Sequence, residues 1–288
     1  MVKVTAAEVN KLRKTTGAGM MDCKKALVEA DGNIDTAIEI LRKKGQKVAA
    51  KRANRDSSEG VAIAIANEDN TSGVGIVLAC ETDFVGKNAD FIDLAHKIAA
   101  NGLKCNSKED LLKSNLGDMS VEEKLIEQTG VIGEKIQIND FTKIDAAFVG
   151  TYIHAGNKIS SLVGFSEKCE NIEVAAKDIS MQIAAMNPIA LDEDSVDSEV
   201  VEKEIEIAKD QLTAEGKPEE MLDKIAQGKL KKFFKDNTLI HQAFIKDSKQ
   251  TVSQYLSSFS SETKITSYSR VSICLLYTSD AADEEDSV

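Results

Sequence analysis

The sequence predicts an α+β protein, and three observations carry that reading. Capped segments of helical period fill the first 55 residues, a β-hairpin followed by a helix occurs twice between residues 61 and 186, and two apolar stripes flank Gly216-Lys217-Pro218. At 288 residues the chain exceeds what one core serves, so several packed units are expected.

Thr5-Ala6-Ala7-Glu8 has the pattern of a capping box, with Val4 and Val9 placed as its hydrophobic staple. The helix it starts is expected to end at Thr16-Gly17. A second helix follows over residues 20–30, and a third runs from Asn33 to Gly45 with Ile34, Ala37, Ile38 and Leu41 on one face. Three short helices resemble a ubiquitin-associated-type bundle, whose small core suits a docking module. Residues 1–55 are assigned to this module, with 47–55 as a basic tether.

Residues 56–144 read as a first α+β subdomain. Runs 61–66 and 74–80 are apolar and β-branched and are separated by turn residues, the signature of a hairpin. A helix over 88–100 carries Phe91, Leu94, Ala95 and Ile98 on one face, residues 101–119 read as loop, Ser120-Val121-Glu122-Glu123 caps another helix, and a strand spans 135–144. The second subdomain is assigned to 145–197 and 235–272, with a hairpin turning at Ala155-Gly156-Asn157, a helix over 172–186 ended by Asn187-Pro188, and a strand over 263–272. At an offset of 85 residues Ile98-Ala99-Ala100 aligns with Ile183-Ala184-Ala185, and Asp93 with Asp178.

Residues 198–234 read as a protruding antiparallel helical hairpin. Val201, Ile205, Ala208 and Leu212 form one narrow stripe and Met221, Leu222, Ile225 and Leu230 the other, each wide enough for a single coiled-coil-like seam. That seam meets either the neighbouring arm or a second copy of the chain. Glu202, Lys203, Glu204 and Glu206 crowd the first arm and Lys229, Lys231 and Lys232 the second, a difference of charge that favours antiparallel pairing within one chain. The tail 273–288 changes character, with five acidic and no basic residues from Cys274 onward, and its 275–284 string resembles translated adapter sequence; it is set aside as non-native or disordered.

Charge narrows the function. The net charge is −12, yet residues 1–55 hold 13 Lys and Arg against 6 Asp and Glu, a balance of +7 that leaves −19 for the remainder. An acidic body opposes non-specific nucleic-acid binding, which depends on neutralising phosphates. The basic module fits an acidic protein surface or, as the alternative, an RNA or the ribosome. No apolar run approaches a membrane span. Five scattered cysteines without a Cys-x-x-Cys pair suit a reducing cytoplasm and give no zinc site.

Chemistry is not encoded in any recognisable arrangement. Gly17-Ala18-Gly19 follows a helix rather than a strand, so it is not a dinucleotide fingerprint, and no P-loop is present to bind nucleotide directly. His96, His154 and His241 are far apart in sequence, and His96 reads as solvated. Neither a catalytic role nor a cofactor nor a metal is expected. The unusual place is Thr82-Asp83-Phe84-Val85, between a strand end and a helix start. Composition favours Phe84 packing under its own helix; the other reading is an exposed wedge for a partner.

The string Thr16-Gly17-Ala18-Gly19-Met20-Met21-Asp22-Cys23-Lys24-Lys25-Ala26-Leu27, the motif Thr82-Asp83-Phe84-Val85 and the segment 215–233 resemble signatures of the elongation factor Ts family. The resemblance covers about residues 2–272. Gly86 stands where that family more often has Ala, and Ala243 where Pro is common. Membership would imply a guanine nucleotide exchange factor that binds the GTPase elongation factor Tu and promotes GDP release. It would place Asp83 and Phe84 between two helices of the GTPase domain, with Thr82 and Val85 in the same motif. It further implies that Met20 and Met21 touch that domain, although the residues alone equally suit a three-helix core. His154 would meet the GTPase's third domain.

Overall fold

The computed structural model describes residues 4–273. Of the tail set aside at 273–288, Ile273 is ordered and buried against Ala62 and Val77, because its N–H continues the pairing to the Lys158 carbonyl at 3.0 Å; 274–288 lie outside the described residues. Helices α1 (Ala6–Thr16), α2 (Met20–Glu29) and α3 (Ile34–Arg52) form the N-terminal module. Both halves of the capping box are made: the Glu8 N–H donates to Thr5 Oγ1 at 3.3 Å, and the Thr5 N–H to Glu8 Oε2 at 2.7 Å. Val9, Leu12, Cys23, Ala26, Leu27 and Ala37 are the buried core, with Val4 packed against it. The third helix does not stop at Gly45. It runs on to Arg52, so most of the expected tether is helical. A glycine inside a helix costs about 1 kcal/mol, but here it permits a crossing. A methyl group on Gly130 would lie 2.5 Å from the Gly45 Cα, so α3 and the helix bearing Gly130 approach backbone to backbone.

The body consists of two three-stranded antiparallel sheets packed face to face. The first has strands β1 (Glu59–Ala66) and β2 (Ser72–Cys80) as a hairpin, followed by a short turn α4 (Asp83–Gly86) and helix α5 (Ala89–Gly102). After α5 come α6 (Lys108–Lys113), the two-residue strands β3 (Asn115–Leu116) and β4 (Met119–Ser120), and α7 (Val121–Ile132), which bears Gly130. Strand β5 (Gln137–Asp145) then returns to pair with β2. The stretch 101–119 is therefore not simply a loop: Ser107 caps α6 through the Asp110 N–H at 3.0 Å, and Leu111 is fully buried. A helix of a turn and a half is too short to show a period.

The second sheet repeats the plan. Strands β6 (Phe148–Ile153) and β7 (Ile159–Phe165) form the hairpin, α8 (Ile172–Met186) crosses it, and the last strand of the described chain pairs on the far side of β7. Before that strand lie α9 (Ser198–Ala214), α10 (Glu219–Asn237), β8 (Ala243–Phe244), β9 (Asp247–Thr251) and α11 (Val252–Ser257); the strand itself is β10 (Ile265–Ser272).

Alternation explains the stacking. Val61, Ile63, Val74, Ile76 and Leu78 face α5, while the opposite positions, Ala62, Ala64, Gly73 and Gly75, face the second sheet. A Cβ on Gly73 or Gly75 would come within 2.7–2.9 Å of Val149, Leu162 or Thr142, so the small residues set how closely the sheets approach. On the far side Val163, Phe165, Ala175, Ile179 and Ile183 make the second core.

In the helical pair, Ala208, Leu212 and Ala226 are buried between the arms with Leu222 and Ile225 against them, and Leu230 is buried as well, but Met221, expected in the seam, is exposed. Opposite charges do pair across the arms, Lys229 among them, but not with the glutamates named from the sequence. Lys209 pairs with Asp223 at 2.6 Å and Lys229 with Glu215 at 3.9 Å, because the turn at Gly216 sets which residues face each other. The connection after α10 is closed by Gln182, whose amide donates to Gln242 Oε1 and the Ala243 carbonyl, both at 3.1 Å, so Ala243 is tied down without a proline.

Candidate functional site

Strand β2 leaves the first sheet at Cys80, and a bend at Glu81 followed by the extended Thr82 leads into α4. Val85 turns inward onto the first core, and Gly86 lies against Gly60 of β1, where a Cβ would sit 3.1 Å from the Gly60 carbonyl oxygen. With the next two residues anchored below, the turn has one direction left for Phe84. It points out, 83% exposed. The inward packing that composition favours is overturned, because Val85 already occupies the place beneath the helix. Asp83 beside it is held by Lys87 at 2.6 Å; the hydrogen bond from that ammonium keeps the Asp83 carboxyl below its ordinary range.

One carboxylate grips the backbone leading into the turn, and a second ties that stretch to its neighbours. Glu134 accepts from the Glu81 N–H at 3.1 Å, the Thr82 N–H at 3.0 Å and Thr82 Oγ1 at 2.6 Å. Glu81 accepts from Arg52 Nη1 at both oxygens, 2.8 Å each, and from the Lys135 N–H at 2.6 Å. Burial alone would raise the Glu81 pKa, but these donors, with the charges of Arg52 and Arg55, hold it below the ordinary 4.5. Burial, reinforced by the Glu134 charge, pushes the Cys80 thiol up to about 12, so it stays protonated and donates to the Thr82 carbonyl at 3.2 Å. Sequence reasoning missed Glu81, Glu134 and Arg52 as supports. Residues 81 and 134 meet only through the fold, and the one local signal was a charged residue following the glycine that ends α7.

Beside Phe84 lies an open groove of about 750 Å³, lined by Phe91, Leu94, Leu116, Val131 and Ile132, that reaches Gly17 at the start of the α1–α2 turn. Met20 and Met21, which follow that turn, are 54% and 62% exposed. Neither belongs to the three-helix core, whose inward positions on α2 are Cys23, Ala26 and Leu27. His154 is exposed at the β6–β7 turn, hydrogen-bonded to Tyr152 at 3.1 Å. That turn packs on β1, with the Ala62 N–H donating to the Asn157 carbonyl at 2.7 Å and Lys158 pairing with Glu59. The wedge and the His154 turn thus share one end of the stacked sheets, and the groove leads from the wedge toward the methionines.

Among the described residues no cluster of three or more His, Cys, Asp or Glu could hold a metal, and no helix is long and apolar enough to cross a membrane. The described residues thus present an exposed aromatic on a held turn beside an apolar groove, a surface feature rather than an enclosed site. The family profile described as Elongation factor TS matches residues 81–274, beginning at the clamp. Proteins called Elongation factor Ts align along nearly the whole chain. That of Christiangramia forsetii is 63% identical over 273 residues, covering 95% of this chain and 100% of the relative. That of Flavobacterium psychrophilum is 58% identical with the same coverage. That of Porphyromonas gingivalis is 43% identical, covering 94% of this chain and 98% of the relative. The chain belongs to the elongation factor Ts family.

Proposed function

We propose that this chain is a cytoplasmic guanine nucleotide exchange factor of translation elongation, which binds elongation factor Tu carrying GDP and speeds GDP release. It carries out no chemical step and holds no nucleotide of its own. The observation that supports this most is Phe84, a large apolar side chain exposed on a turn whose two lead-in residues are held by Glu134. Held out in water, that side chain forgoes the roughly 1.5–3 kcal/mol that burial would give, which a partner's crevice would return. Phe84 enters a crevice between helices of the GTPase, and Asp83, kept ionised by Lys87, accepts hydrogen bonds at its rim. Met20 and Met21 contact the same domain, and His154 reaches a second one.

The energetics follow from linkage. A factor that prefers the nucleotide-free GTPase weakens nucleotide binding by the ratio with which nucleotide weakens its own binding. Burying one Phe contributes roughly 1.5–3 kcal/mol, and every 1.4 kcal/mol or so is tenfold in an equilibrium constant. One side chain therefore accounts for a tenfold to hundredfold coupling, and the wider surface supplies the rest. Phe84→Ala tests this. GDP release from GDP-loaded elongation factor Tu should slow at least tenfold while the thermal midpoint stays put. A parent-like release rate would remove the wedge, and a collapsed midpoint would return Phe84 to the core.

A further inference from the structure

A side chain as exposed as Phe84 receives no orientation from packing of its own, so its aim is set by the backbone that carries it. That backbone is held by residues remote in sequence. We propose that Glu134 is a positioning residue for exchange: its carboxylate, backed by the Arg52–Glu81 pair, holds the turn that presents Phe84 in register with α3. The proposal rests on the reading of Phe84 as the wedge and names the residue through which the rest of the molecule controls it.

Three features support it. One carboxylate takes three hydrogen bonds from two consecutive residues, the two that lead into the wedge turn. A charge-assisted set of this kind fixes direction as well as distance. Glu134 directly follows Gly133, whose left-handed φ of 83° closes α7 and whose N–H donates to the Thr129 carbonyl at 2.9 Å, so the chain turns out of the helix at that point. The grip is also reciprocal: residue 134 holds 81 and 82, while Glu81 holds the Lys135 N–H and Arg52, the last residue of α3. Since α3 and α7 touch at Gly45 and Gly130, contacts run in a closed ring from α3 through α7, residue 134 and the wedge back to α3. The wedge and the module carrying Met20 and Met21 are thereby one pre-set grip, which avoids ordering the turn at the moment of docking.

The test is GDP release from GDP-loaded elongation factor Tu across a range of factor concentrations, with thermal midpoints recorded for every variant. Glu134→Ala should lower the maximal rate about tenfold, as a misplaced group does, with little change in the half-saturating concentration. Glu134→Gln should restore most of it, because the amide oxygen still accepts the two N–H groups. Thr82→Val, which removes one of the three bonds, should show the same pattern at smaller size. In a Phe84→Ala background, Glu134→Ala should cost nothing more. A parent-like rate for Glu134→Ala, a loss that persists undiminished without Phe84, or a failure of Gln to rescue would each overturn the positioning role alone. Full activity of Phe84→Ala would instead sink the wedge and the positioning role together.

Discussion

The two halves of the body share a plan and differ at one joint. In each, a hairpin is followed by a helix across its outer face, and a third strand returns beside the hairpin's second strand. The 85-residue offset superposes positions faithfully where packing demands it. Ile98 and Ile183 are both fully buried, and Ala99 and Ala184 are both buried. The aligned aspartates are not alike. Asp93 is exposed beside Lys97, whereas Asp178 is buried and held by Lys246 at 2.5 Å and Tyr255 at 2.7 Å. The joint between second strand and helix differs most. At the position where the first half thrusts out Phe84, the second has Cys169, turned inward onto its core. Duplicated packing makes the scaffold, and one unduplicated turn carries the exposed aromatic.

The shared core should fail equally in both halves. Ile98→Ala and Ile183→Ala should each cost about 2–5 kcal/mol by denaturant unfolding; a loss confined to one would show that only one sheet supports the fold. Next in size is the joint to the N-terminal module. Gly130→Ala drives a methyl group into the Gly45 backbone, so it should cost about 1–3 kcal/mol and raise amide exchange in α3. A silent substitution there would mean the module is not packed on α7. The contrast between the joints is sharpened by pairing Cys169→Ala with Phe84→Ala. The former should leave GDP release untouched and shift stability by about 1 kcal/mol or less, against the tenfold loss expected of the latter.

Smaller effects follow from charge and from the projecting helices. The Glu81 carboxyl is depressed in the folded chain, so its contribution to stability is complete above the ordinary value of 4.5 and fades as pH falls through the depressed one. Glu8, Glu123 and Asp83 are depressed as well, so the informative measurement is the unfolding midpoint of the parent minus that of Glu81→Gln. That difference should shrink on acidification below pH 4.5. The least effect is expected from replacing residues 201–229 by a short Gly/Ser linker. The α9–α10 seam is closed within the chain, and exchange should survive; a well-folded chain without exchange activity would show that the pair belongs to the site.

Local chemistry determined the elements. The capping boxes at Thr5 and Ser120, the turn at Gly156-Asn157 and the bounds of α8 were legible because each depends on residues a few positions apart. Family membership was legible in residues 16–27 and 82–85. The course of α3 past Gly45 was not, since a glycine reads as a stop until Gly130 supplies a close partner. Nor was the outward turn of Phe84, or the outward faces of Met20 and Met21: an apolar residue near a helix start packs inward or outward according to what else fills the space below. Val85, Cys23 and Leu27 fill it here. Glu134 could not be read at all as a partner of Thr82, for 51 residues of chain lie between them and only the pairing of β5 with β2 brings them within hydrogen-bonding distance.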